Sequence, residues 1–163
     1  ERFKRQIICQ RGERYYDLQL MKWLPEYVDK HFNTYQDYGH LADKHVNESE
    51  QYLKNRCKRE KVDASTFIGE EDQILAMINQ DMRSQQGLID LVTYLADDDF
   101  LDEYTLYFKI RRPITGIVFL KDPNKHCWLD GPIECFEFSV IIKKTDTCKN
   151  NEFYVKTVHP SKP

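Results

Sequence analysis

The 163-residue sequence has no hydrophobic run long enough to cross a bilayer; runs such as Val140-Ile141-Ile142 are short. It has no C-x-x-C pair, and its cysteines are odd in number: Cys9, Cys57, Cys127, Cys135 and Cys148. That argues against a disulfide framework and against a zinc ribbon, and free thiols are compatible with a reducing cytosol. Internal repeats and low-complexity segments are absent. There is no initiator Met, and Glu1-Arg2-Phe3-Lys4-Arg5 does not lead into the apolar region of a signal peptide. The chain is therefore expected to be a piece of something longer. Net charge is only −3, whereas a nucleic-acid binder is usually basic as a whole. Such a role would have to rest on local clusters: Lys54, Arg56, Lys58, Arg59 and Lys61, or Lys109, Arg111 and Arg112. The plainer reading of either cluster is a solvated face.

What is present is an ordinary globular balance, 40% hydrophobic and 31% charged, which suggests neither disorder nor collagen. Ten Tyr and nine Phe supply material for a core. Tyr16, Leu20, Trp23, Leu24, Tyr27 and Val28 recur at three- and four-residue spacing and predict an amphipathic helix from 15 to about 30. Pro25 either kinks it or starts a second helix. Asn47, with Glu50 three residues on, reads as a capping box opening a helix to about Arg59. Asp63-Ala64-Ser65-Thr66-Phe67 is a loop or strand. Helices are predicted over 70–83 and 86–96, the latter closed by a solvated turn at Asp97-Asp98-Asp99. Strands are predicted over 104–112, 115–120, 134–143 and 152–158. Turns are expected at Pro113, Asp122-Pro123-Asn124, Gly131-Pro132 and Lys149-Asn150-Asn151. The expected class is α+β: N-terminal helices, then a twisted, meandering antiparallel sheet.

Two stretches carry chemistry. Gly39-His40 to His45-Val46 holds two histidines, and histidine is the side chain whose unperturbed pKa lies near neutrality. A cap at Asn47 breaks the helix between His45 and Arg56, which would otherwise lie roughly 16 Å apart. At the other end, alternation on the last strand puts Phe153, Val155, Thr157 and His159 on one face and Tyr154, Lys156 and Val158 on the other. Pro160 should end that strand. RNA carries its own nucleophile, the 2′-hydroxyl. One neutral and one protonated imidazole can act as base and acid on it. Arg56 and the Thr157 hydroxyl can stabilise the charge on phosphorus. No metal and no cofactor are required. Spacing alone does not bring His45 and His159 together; a surface His and a strand-end His are the bland alternative. A metal-dependent nuclease or deaminase fits poorly, because the i, i+5 spacing of His40 and His45 does not place two ligands on one helix face and no H-x-E with P-C-x-x-C occurs.

Four motifs in order carry a resemblance: Gly39-His40-Leu41-Ala42-Asp43-Lys44-His45-Val46, Leu53-Lys54-Asn55-Arg56, Ser65-Thr66-Phe67 and Thr157-Val158-His159-Pro160. Over about residues 39–160 the chain resembles the ribonuclease A-like toxin domains at the C-termini of bacterial contact-dependent growth inhibition proteins. The resemblance implies a ribonuclease A-like fold without disulfides. It implies a domain at 39–163 preceded by a helical extension or subdomain at 1–38. It implies a secreted or surface-delivered toxin, acting in the target-cell cytoplasm and monomeric within a heterodimer with a cognate immunity protein. His45, Arg56, Thr157 and His159 are the implied catalytic residues, with His40, Lys44 and Lys156 as substrate-binding helpers. His159 departs from the family, whose members often carry tyrosine there. The alternative is a non-catalytic RNA- or protein-binding module, its aromatic sheet stacking on bases.

Overall fold

In the computed structural model, the residues described are 14–96, 103–144 and 152–162, with side chains from residue 18 onward. The polar start of the chain, the Asp97-Asp98-Asp99 and Lys149-Asn150-Asn151 turns, and Cys9 and Cys148 lie outside them. The helices are α1 (Arg14–His31), α2 (Leu41–Lys44), α3 (Glu50–Glu60), α4 (Glu71–Met82) and α5 (Gln85–Ala96), with a short 3₁₀ turn at Tyr35–Tyr38. The strands are β1 (Ala64–Ile68), β2 (Glu103–Lys109), β3 (Thr115–Phe119), β4 (Ile133–Cys135), β5 (Glu137–Lys144) and β6 (Phe153–Ser161). No helix among the described residues is long and apolar enough to cross a membrane. Cys57, Cys127 and Cys135 are free thiols.

The α+β class agrees with expectation, but the single meander does not. Among the described residues there are two antiparallel three-stranded sheets, ordered β1-β3-β4 and β2-β5-β6. β1, between two helices in sequence, completes the first. The stretch expected as one strand over 134–143 breaks at the exposed Phe136. On one side of the break Cys135 pairs with Gly116 of β3; on the other Glu137 pairs with Lys109 of β2. The chain thus changes sheet within one residue, a step that alternation in sequence cannot reveal. The sheets abut where Gly116 faces Pro160: a Cβ at 116 would meet the proline ring at 2.9 Å.

A smaller buried cluster joins Leu53 and Cys57 of α3 to Ala64 and Phe119; the larger fills the space between α1, α4 and α5 and the β2-β5-β6 sheet. α1 contributes Leu20, Leu24 and Val28, α4 Ile74 and Ile78, α5 Leu91 and Leu95, and the sheet Phe138, Val140 and Val158. Leu20, Leu24, Val28, Phe32 and Tyr38, from the stretch at 1–38 expected as an extension or subdomain, belong to this core. Tyr27 donates its hydroxyl to the Phe153 carbonyl at 2.9 Å, and the Phe32 and Phe153 rings stack at 5.4 Å. Pro25 does not start a second helix; α1 runs through it.

Three local expectations fail for nameable reasons. The cap of α3 is Ser49, whose hydroxyl accepts from the Tyr52 N–H at 3.0 Å. Asn47 instead takes a positive φ of 50° and clamps Gly69 by two hydrogen bonds, a tertiary use invisible to a local capping rule. β6 does not end at Pro160; Phe138 pairs with Pro160 and Glu137 with Ser161. β6 is an edge strand, where a missing donor costs little.

The third failure shapes the site. Ile141 pairs with Thr157 but Ile142 with Val155, so Lys156 is an extra residue, a β-bulge. The bulge reverses the alternation. Phe153, Val155 and Val158 all enter the core, and Thr157 and His159 point the other way. Gly39 braces it: φ is +62°, a Cβ there would collide with the Lys156 carbonyl, and the His40 N–H donates to that carbonyl at 3.1 Å. Gly39→Ala is expected to cost on the order of 2–3 kcal/mol through backbone strain and collision. Urea melts check this, and an unchanged midpoint would contradict it.

Candidate active site

The His45 segment is zipped to β1 by backbone. The Phe67 N–H donates to the His45 carbonyl and the Asn47 N–H to the Phe67 carbonyl, both at 2.8 Å. The Glu48 N–H donates to the Thr66 hydroxyl at 3.0 Å. The imidazole is thereby fixed against β1, where Nδ1 lies 2.8 Å from the Ser65 carbonyl oxygen. A carbonyl only accepts, so Nδ1 carries the hydrogen and Nε2 keeps its lone pair. The bulged end of β6 presents His159 opposite. The two ring centroids are 5.4 Å apart, with planes inclined by 42°. His159 Nδ1 donates likewise, to the Pro160 carbonyl at 2.9 Å. Both imidazoles therefore use one nitrogen for anchoring and leave the other for chemistry.

Arg56 reaches the same place from the inward face of α3. Its side chain is on the helix turn that also buries Leu53 and Cys57, and the residue is only 8% exposed. Its Nε is 3.3 Å from the Glu60 carboxylate, but the N–H does not point at it; Nε and Nη1 make no hydrogen bond. The Thr157 hydroxyl is also buried and unpartnered. Leaving a buried donor unsatisfied costs about 1–3 kcal/mol, more for a charged group. Two such groups beside one pair of imidazoles suggest an anion as their missing partner.

These side chains line one cleft of about 630 Å³. Its floor is the outward face of the β2-β5-β6 sheet, with Tyr107, Ser139 and His159 in register across it. Of the residues expected at the site, His45, Arg56, Thr157, His159 and Lys156 line the cleft. Lys156 is held by Glu103 at 2.8 Å. His40 is exposed and does not line it; its backbone N–H donates to the Lys156 carbonyl of β6. Lys44 does not line it either, though its charge bears on His45. Ser65, Tyr107, Ser139 and Asp63 also line the cleft and were not anticipated as site residues. Ser65 belongs to the S-x-F motif, yet it acts through its carbonyl, which any residue type would supply.

Burial sets the protonation. It drives His45, 5% exposed, down to about 3; the Ser65 bond opposes this, and the charges of His159, Arg56 and Lys44 add to it. Burial also lowers His159, opposed by the Pro160 carbonyl and reinforced by Arg56. His45 is therefore neutral near pH 7, a base with its lone pair on Nε2.

No family model matches the sequence, and no curated protein does. Among solved structures, one chain of the CdiA-CT/CdiI complex from Y. kristensenii 33638 matches with a TM-score of 0.55 at 23% identity. The match covers 76% of this chain and 100% of that chain. What the two share is the fold.

A lowered histidine pKa means that the unfolded chain binds the proton first on acidification. Stability from His45 is full above about 6.5 and falls as pH drops from there toward about 3. The slope from this residue alone approaches about 1.4 kcal/mol per pH unit. Urea melts at pH 4.5, 5.5 and 7 should show the loss, and His45→Gln should flatten it. Parallel curves for the two proteins would contradict the buried neutral assignment.

Proposed function

We propose that this protein is an RNA endonuclease toxin that works without a metal ion, with His45 as general base and His159 as general acid. The observation that carries the reading is the pair of imidazoles 5.4 Å apart, beside a guanidinium and a hydroxyl that are both buried and short of partners. Nε2 of neutral His45 takes the proton of a ribose 2′-hydroxyl. The 2′-oxygen bonds to phosphorus, the bond from phosphorus to the 5′-oxygen breaks, and protonated His159 gives its proton to that oxygen. Arg56 and Thr157 donate to the non-bridging oxygens as charge builds there. The products are a 2′,3′-cyclic phosphate and a 5′-hydroxyl, and the proton count balances between the two rings. Lys156 at the cleft rim serves the RNA backbone, Lys44 adds positive potential, and His40 supports the bulge.

The fold shared with a chain of the CdiA-CT/CdiI complex supports the toxin reading, as do the four motifs. In this reading the domain has a ribonuclease A-like fold and is delivered as the C-terminal part of a larger protein. It acts in the cytoplasm of a neighbouring bacterium. A cognate immunity protein binds it one to one and covers the cleft, its acidic groups meeting Arg56 and Lys156.

Cleavage of RNA in EDTA with 2′,3′-cyclic phosphate ends is the expected result. His45→Ala and His159→Ala should each slow it by about 10²–10⁴-fold. Because both imidazoles are lowered, kcat/KM should peak on the acid side of 6.5. The acid limb falls as His45 gains a proton, and the alkaline limb falls, below 6.5, as His159 loses one. Loss of activity on chelation with both variants still active would overturn the mechanism. RNA bound but never cut would favour a non-catalytic module.

A further inference from the structure

A second cavity, of about 400 Å³, lies between the C-terminal half of α3 and the loop at 121–127. Lys61, Lys121, Lys125 and His126 line it, against the single carboxylate of Asp122. That carboxylate is occupied within the loop, accepting from the Asn124 N–H at 2.9 Å. Beside the cavity, two ammonium groups share one indole. Lys54 Nζ is 5.3 Å and Lys58 Nζ 5.0 Å from the Trp128 ring centroid. Lys54 and Lys58 are one helical turn apart, a spacing at which like charges repel. None of Lys54, Lys58, Lys61, Lys121 and Lys125 has an ion pair among the described residues, whereas Arg56, Arg59, Arg83, Arg111 and Lys162 each have one. A chain of net charge −3 thus keeps, among the described residues, three lysines without an ion pair in this groove and two more over the adjoining Trp128 ring.

The loop is built rather than loose. The Asp122 N–H donates to the Cys127 carbonyl at 2.8 Å, and Lys121 pairs with Trp128 across it. Asp63 joins this groove to the active cleft: it lines the cleft and its carboxylate accepts from the Lys121 N–H at 2.9 Å. Along the chain, Arg56, Val62 and Asp63 face the cleft while Cys57 and Lys61 face the groove. The two cavities are neighbours across the end of α3.

We propose that this groove binds the phosphate backbone of the same single-stranded RNA, several nucleotides from the bond being cut. The inference rests on the RNA reading of the cleft. Lysines without ion-pair partners form a sequence-tolerant track for phosphates, and Trp128 positions two of them beside it. The groove gives affinity for long RNA, and the cleft does the chemistry.

The test uses a fluorescent 12-nucleotide RNA with 2′-O-methyl riboses, which cannot be cut, and anisotropy across a salt series. The variant is Lys54→Gln, Lys58→Gln, Lys121→Gln and Lys125→Gln together; Lys61 is spared because its φ of 57° makes it a left-handed cap. Circular dichroism establishes that the variant is folded. Its affinity should fall at least tenfold near 0.1 M salt, and the slope of log K against log salt should flatten by about 3, from roughly 0.7 per phosphate contact. Cleavage of a dinucleoside phosphate, which fits the cleft alone, should stay within twofold of wild type. Unchanged RNA affinity overturns the groove, whatever the cleavage assay shows, and leaves these lysines to an acidic protein surface. Groove-dependent binding by a wild-type protein that cuts nothing keeps the groove and removes the nuclease. A wild-type protein that does not bind the RNA overturns both.

Discussion

Lys156 has no residue opposite it on β5, and the direction of the chain's last six described residues follows from that. Without the extra residue, Thr157 and His159 would continue the parity of Val155 and point into the core, where a polar pair has no partners. With it, Val158 takes the core position and the hydroxyl and imidazole turn to the cleft. The bulge is held from outside its own sheet. The Gly39-His40 backbone docks on the Lys156 carbonyl, and only a residue without a Cβ fits there. One glycine thus couples the segment carrying His45 to the strand carrying His159. This backbone contact ties the two ring-bearing segments together, alongside the bonds that hold His45 to β1.

The second constraint is desolvation. An imidazole in water near neutrality is divided between two protonation states. Burial against β1 and the nearby Arg56 charge both act against the cation, so His45 is held neutral. Burial, and after it the same guanidinium, depress His159, which works against an acid unless something negative arrives. A phosphate between the rings would supply that charge and the acceptors that Arg56 and Thr157 lack. The unpaired Arg56 donors and Thr157 hydroxyl beside two buried imidazoles are costs that an anion in the cleft would relieve together.

Much of the architecture was readable from local pattern. The apolar spacing of Ile74, Met77 and Ile78 and of Leu91 and Leu95 needs only a helix and a core. The readings that failed depend on partners distant in sequence. Asn47 carries a good capping signature, but Gly69 claims its amide and Ser49 does the capping. Cys135 and Glu137 look like one strand until Gly116 and Lys109 take them into different sheets. Pro160 reads as a stop unless one knows that β6 is an edge. His45, Arg56, Thr157 and His159 were nameable from residue chemistry and motif order. Lys54, Lys58 and Lys61 were visible as a basic cluster, but the use of the Ser65 carbonyl and the placing of Lys121 and Lys125 beside the end of α3 were not, since a carbonyl leaves no mark in sequence and that loop meets α3 only in the folded chain.

The most direct measurement is an NMR titration of the two imidazoles with a nucleoside 3′-monophosphate near pH 5.5. If one phosphate sits between them, the ring signals of His45 and His159 move together along a single binding curve, and the pKa of each rises in the complex. If one ring responds and the other does not, or the two follow different curves, the histidines do not share a phosphate and the account of the site is wrong.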